Sequence, residues 1–270
     1  MRVLPIAMLV LLVSAGIARA DDDTGQLMAD GTKALHEGRA SDAIAVFEAL
    51  ADRGIVDAVA SYDRGLAYAT RIRIGAEVPG DLGRAAHGFE EARALSRDPR
   101  LLEDSATALT VLRSEVARRR TQAGESVEVD PGRSLGRTLA ALLAEDTWSI
   151  ASIVASAILA MGLFVRWLAR ERRVRIGGGV AASLAAPILA LSALMTLSAR
   201  HDRRSLVEAV VVTAGARPVD ERGVTTPGAT PLPEGARVEV VETLGSRTRV
   251  RFGAIDAWVA AGSLRELVRW

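Results

Sequence analysis

Two long apolar stretches, Trp148 to Val165 and Val180 to Leu197, lie near the middle of the chain. Neither contains a charged side chain, and each approaches the ~20 helical residues that cross a hydrocarbon core of roughly 30 Å. Between them lie Arg166, Arg170, Arg172, Arg173 and Arg175. The pattern predicts a membrane hairpin: a span over 147–168, a basic loop over 169–179 and a second span over 180–198. Arginines in a short loop retain it in the cytoplasm, and a hairpin returns the chain to the side it left, so the flanking segments are expected to share one extracytoplasmic compartment. Arg200, Arg203 and Arg204, just after the second span, oppose that bias. Trp148 and Trp167 bracket the first span as interfacial anchors do. Ala151, Ser152, Ala155, Ser156, Ala182, Ser183 and Ala186 either permit close helix contact or reflect an alanine-rich composition. With no charge inside either span, a channel or proton path has no support.

The extreme N-terminus fits export. Arg2, an apolar run from Val3 to Val13 and Ala18-Arg19-Ala20 predict a secretory signal over 1–20; an uncleaved signal anchor is the alternative, and both export the segment downstream. Asp21 to Asp23 then read as a solvated mature start.

From 24 to 122 the apolar period is helical. Leu27, Gly31, Ala34 and Leu35 mark one helix, Gly38 breaks it, and Ser41 is a candidate cap for a second with Ala43, Ile44, Phe47 and Leu50 on one face. Gly31, Ala43 and Phe47 occupy positions where a 34-residue tetratricopeptide unit places small residues and an aromatic at helix crossings. Gly65, Tyr68, Ala85, Phe89 and Ala92 repeat the pattern, with Pro79-Gly80 as a turn and Asp81 as the expected cap. Asp98-Pro99 opens a third long helix carrying Leu102, Leu109 and Val116. The segment resembles a short tetratricopeptide stack, which implies a concave groove for a peptide or partner helix; an ordinary helical bundle is the alternative.

A polar linker and a short amphipathic approach are expected over 123–146. Over 206–270 the pattern becomes extended: Val207 to Thr213, then Val238, Val240 and Val241, then Arg247 to Phe252, then Ala257-Trp258-Val259, separated by turn residues. Pro233-Glu234-Gly235, Arg249-Val250-Arg251 and Trp258-Val259 followed by Gly262-Ser263-Leu264 resemble a bacterial SH3-like domain. The resemblance implies a small all-β barrel with Trp258 as a core anchor.

Composition narrows the chemistry. A net charge of +1 gives no global field for nucleic acid, and the absence of cysteine excludes disulfides, thiolate metal sites and a cysteine nucleophile. The three histidines, His36, His87 and His201, stand singly, and no catalytic or metal role is expected of them. Gly177-Gly178-Gly179 reads as a turn, with no Gly-Lys-Ser/Thr to make a phosphate loop. No cofactor is expected.

The fold class expected is a multidomain membrane protein: all-α tetratricopeptide-like repeats, a transmembrane α-helical hairpin and a small all-β SH3-like barrel. In this order the parts resemble the BatE-type proteins of bacterial aerotolerance operons, on Gly65, Tyr68, Gly80-Asp81-Leu82-Gly83-Arg84-Ala85, Phe89-Glu90, Trp148 and the barrel motif. That resemblance implies a bacterial inner-membrane protein associated with von Willebrand A-type membrane proteins and a MoxR-type ATPase. It carries no catalytic residues. The function expected is a non-enzymatic scaffold, with peptidoglycan binding by the barrel as the alternative.

Overall fold

The computed structural model describes residues 23–125, 145–205, 207–220, 222–226, 228–253 and 255–268. The signal at 1–20, nearly all of the linker and the amphipathic approach at 126–144 lie outside these residues. The protein is mostly helical with a small antiparallel sheet and two long apolar helices. It divides into two compact units, one made from the segments on either side of the apolar hairpin and the other from the hairpin itself.

In the first unit, helices α1 (23–36), α2 (Ala40–Asp52), α3 (Ala58–Arg73), α4 (Asp81–Leu95) and α5 (Pro99–Gln122) succeed one another through short turns. Gly38 at φ 74° ends α1, with the Gly38 and Arg39 amides returning to the Leu35 and Ala34 carbonyls, as helix-terminating glycines do. Ser41, expected as a cap, lies inside α2; Arg39 precedes the helix without a side-chain capping bond and instead pairs with Glu37 and Asp42. Asp57 caps α3 by accepting the Val59 and Ala60 amides, and Asp98 caps α5 by accepting that of Arg100. At α4 the cap is Gly80 at φ 94°. Asp81 is already helical, and its buried carboxylate accepts the Val78 amide and is paired by Arg71.

Small residues set how closely these helices approach. A Cβ on Gly31 would stand 3.0 Å from the Phe47 ring, one on Gly65 3.0 Å from the Phe89 ring, and one on Gly88 2.7 Å from the Gly65 nitrogen and the Ser61 oxygen. Ala43, Ala85 and Ala92 are fully buried, and Tyr68 nearly so. Phe47, Leu50, Phe89, Leu109 and Val116 fill the space between.

The sheet has the order β4-β3-β2-β1-β5, with β1 (Val207–Val211), β2 (Arg237–Leu244), β3 (Arg247–Phe252), β4 (Ile255–Ala260) and β5 (Leu264–Glu266) all antiparallel. Alternation turns Thr248, Val250 and Phe252 inward and Arg247, Arg249 and Arg251 outward. The same rule corrects the role expected of Trp258. Val259 is the fully buried residue of β4, so Trp258 falls on the opposite face, partly exposed and opposite Arg249.

The helices and the sheet share one body. Ala209 and Val211 face the sheet's own core with Leu232, Val238, Val250 and Phe252, whereas Val210 and Leu267 enter the helical core. Strand β1 is therefore buried on both faces. Against it α4 comes into backbone contact: a Cβ on Gly83 would lie 2.4 Å from the Val211 carbonyl oxygen, and one on Gly80 2.6 Å from that of Val212.

The second unit holds α6 (Glu145–Leu168) and α7 (Arg172–Ser205). Thr147–Leu168 and Arg172–Ser198 are long and apolar enough to span a membrane. They run antiparallel: Gly162 abuts Gly178, and the Ser152 and Ser192 hydroxyls meet at 3.0 Å. Large apolar residues such as Ile153, Met161, Leu184 and Leu194 point outward. Two expectations change here. Gly177-Gly178-Gly179 is not a turn but part of α7, because Gly178 lets the helices touch, its Cβ position being 2.7 Å from the Gly162 carbonyl oxygen. The connection is accordingly only 169–171, with Arg172, Arg173 and Arg175 in the first turns of α7, Arg166 in the last turn of α6 and Arg170 between.

Replacing Gly83 by Ala forces the α4–β1 backbone contact apart. Such overpacking costs about 3 kcal/mol, and chemical denaturation of the intact protein in detergent should show a loss of that order, whereas Gly54→Ala, with open space around it, acts only through its positive φ and should cost about 1 kcal/mol.

Candidate functional site

The densest chemistry in the described residues is a seam of buried polar side chains between the helices and the sheet. Helix α4 brings His87, Glu90 and Glu91 to it, α3 brings Ser61, Arg64 and Tyr68, and α2 brings Glu48.

At its centre the Arg64 guanidinium donates through Nη2 to Glu91 Oε2 at 2.6 Å and to His87 Nδ1 at 3.1 Å, while the Ser61 hydroxyl donates to the same carboxylate oxygen at 2.7 Å. Arg64 and Glu91 are each 3% exposed. Arg64 Nε lacks a hydrogen-bond partner and lies 3.8 Å from Glu48 Oε1. A guanidinium has donors only and a carbonyl is only an acceptor, which fixes the histidine tautomer. Nδ1 accepts from Arg64, and Nε2–H donates to the Glu266 carbonyl of β5 at 3.0 Å. Burial first, and then the Arg64 charge, lower the His87 pKa to about 3. His87 is thus neutral, with both nitrogens engaged.

Three further contacts flank this centre. Glu90, also buried, accepts from Arg113 of α5 at 2.8 Å and from Arg237 of β2 at 3.2 Å, and Arg237 continues to Glu208 of β1. Glu48 accepts from Arg265 of β5 at 2.8 and 2.9 Å and from the Tyr68 hydroxyl at 3.0 Å. Burial and the neighbouring Glu48 push the Tyr68 phenol up to about 12. Glu234 accepts the Gly83 amide at 2.9 Å, and burial raises its carboxyl above the usual range. Beside it a cleft of about 150 Å³ is lined by Leu82, Val116, Arg119, Arg120, Leu232 and Glu234. Pockets that enclose small molecules run from about 300 Å³ upward.

The hydrogen bonds of the seam join elements to one another: Ser61 donates to the Glu91 carboxylate, and the His87 nitrogens face Arg64 and a carbonyl rather than the hydroxyl. Among the described residues no three His, Cys, Asp or Glu side chains converge as metal ligands.

Gly31, Ala43, Phe47, Gly65, Tyr68, Ala85, Phe89 and Ala92 come together in or beside the helical core, with Tyr68 also reaching the seam. The hairpin arginines belong to the second unit, and Trp258 lies on the outer face of β4. Sequence reasoning missed Arg64, Glu90 and Glu91. It also took His87 to be isolated, although Glu91 stands four residues later and its Oε1 lies 4.0 Å from Nε2. The readable signal was that Glu90-Glu91 falls between Phe89 and Ala92, two positions assigned to helix crossings. Compared with known families, curated proteins and solved structures, the chain finds no match.

Removing one member of a buried ion pair strands the other. Glu91→Ala should therefore cost about 3–5 kcal/mol in denaturant unfolding, whereas Arg265→Ala, whose side chain is 31% exposed, should cost about 1 kcal/mol. Equal losses would show that the centre of the seam holds no more than its rim.

Proposed function

We propose that the protein is a non-catalytic scaffold, anchored by two spans in a bacterial inner membrane, that holds partner proteins at the membrane's outer face. The observation that carries this reading is the single body formed by residues 23–125 and 207–268. Segments on either side of a two-span hairpin can share a core only if they meet in one compartment, which supports the hairpin topology, and the arginines of the tip favour the orientation in which that tip is cytoplasmic. A buried polar network without a reacting constellation supports a binding role over a hydrolase. The glycine–aromatic crossings Gly31–Phe47 and Gly65–Phe89 support a tetratricopeptide-like stack, and the five-stranded order with a 3₁₀ turn, Ala261–Ser263, before β5 supports an SH3-like module. By the resemblance to BatE-type proteins, the partners are von Willebrand A-type membrane proteins and a MoxR-type ATPase system in an envelope stress complex.

One observation favours a second reading. Trp258 lies partly exposed on the outer face of β4 beside Arg249, a placement suited to a cell-wall glycopeptide, and sedimentation of the full chain with purified sacculi, with and without Trp258→Ala, separates that reading from the first.

Two measurements test the scaffold. Reporter fusions after Gly124 and after Trp270 should both be active only as exported reporters, and one truncated at Arg170 only as a cytoplasmic reporter; a C-terminal fusion active in the cytoplasm overturns the topology. Affinity purification from mildly solubilised membranes should then recover membrane proteins with von Willebrand A-type domains, and recovery of none overturns the scaffold.

A further inference from the structure

We propose that acid releases the sheet from the helices, through protonation of His87. The geometry makes a second proton on this ring and the docked state mutually exclusive. Nε2–H is committed to the Glu266 carbonyl on β5, so an added proton must go to Nδ1, which faces the Arg64 guanidinium at 3.1 Å. Two donors would then confront each other inside a closed seam. The ring must turn away from Arg64, breaking its bond to β5, or the sheet must lift.

Most of the charges around the ring disfavour an imidazolium or are already engaged. On α3, Arg64 repels an imidazolium, and on β5 so does Arg265. On α4, Glu91 is the nearest carboxylate; Arg64 and Ser61 hold its Oε2, while its Oε1 lies 4.0 Å from Nε2, on the side of the ring away from the Nδ1 that must take the added proton. On α2, Glu48 is held by Arg265 and Tyr68. Glu90 faces Arg113 of α5 and Arg237 of β2. Two groups oppose the effect: the Glu91 Oε1, which would favour a charged ring, and Glu234, which, buried against the Gly83 amide with its carboxyl pKa raised, takes a proton more readily when docked and so favours docking as the pH falls.

Linkage sets the sign. When docked, His87 has a pKa lowered to about 3, and when released it returns toward about 6.5. Docking stability is complete above about pH 6.5 and is lost as the pH falls from there toward the docked value. In that window the released state binds one proton more, so the open population grows about tenfold for each pH unit.

Hydrogen exchange on the full chain in detergent at pH 7.5, 6.5 and 5.5, corrected for intrinsic exchange rates, tests this. Opening of β1 and β5 should rise about twofold between the first two and about fivefold between the last two, because pH 6.5 is the midpoint of the released ring, while α1 and α2 stay protected. His87→Gln retains a donor for Glu266 and an acceptor for Arg64 but cannot ionise, and it should abolish the rise. A flat wild type, the same rise in His87→Gln, or an equal rise in α1 and α2 overturns the proposal. Should the variant fail to fold, imidazole nitrogen NMR of the wild type decides. With only three histidines in the chain, the His87 signal should remain neutral and protonated at Nε2 at pH 5.5, and titration near pH 6.5 in the docked protein overturns the proposal.

Discussion

Strand β1 is buried on both faces, and the rest of the unit formed by the helices and the sheet depends on that. Ala209 and Val211 complete the core of the sheet, while Val210 completes that of the helices. A strand used in this way cannot slip by one residue, because the shift would exchange its two faces. Its partner α4 is similarly enclosed, between α3, α5 and the carbonyls of Val211 and Val212. Gly80 and Gly83 make the approach possible, since any side chain there would occupy the space taken by strand backbone.

The polar seam gives this junction its specificity. A buried ion pair is seldom more stabilising than apolar residues of the same volume, but it is costly to mismatch. Arg64 with Glu91 and Arg113 with Glu90 join helix to helix, while Arg237 with Glu90 and Arg265 with Glu48 tie the sheet to the helices at fixed points. His87 adds a directional requirement, because its tautomer is fixed on one side by a donor and on the other by a carbonyl.

Periodic features are legible in the sequence. The apolar spans, the crossings at Gly31, Phe47, Gly65 and Phe89, the caps at Asp57 and Asp98 and the alternation in β3 all arise from local spacing or local hydrogen bonding, although Asp57 itself was passed over. Long-range pairing is not legible in the same way. Nothing within α4 announces that Gly83 meets Val211, or that Glu90 waits for an arginine at 237. Trp258 was misplaced because a family pattern was given more weight than the period of the strand, which reserves the inward position for Val259. The glycine run at 177–179 has a strong turn propensity, yet helix contact at Gly162 overrides that preference.

The polarity of the seam also suits the order in which the chain is made. Helices α1 to α5 leave the ribosome before the apolar hairpin, and β1 to β5 after it, so α4 must wait for its covering sheet while two spans are synthesised. An apolar face of that size, left open, would invite association with other chains or with lipid. His87 and Glu90 place polar groups on the face that the sheet will cover. When the strands arrive, Glu90 gains Arg237, His87 gains the Glu266 carbonyl and Glu48 of α2 gains Arg265. A seam built from charges is less adhesive than one built from leucines, and for a body whose halves are separated by a hairpin that restraint is what lets the correct halves meet.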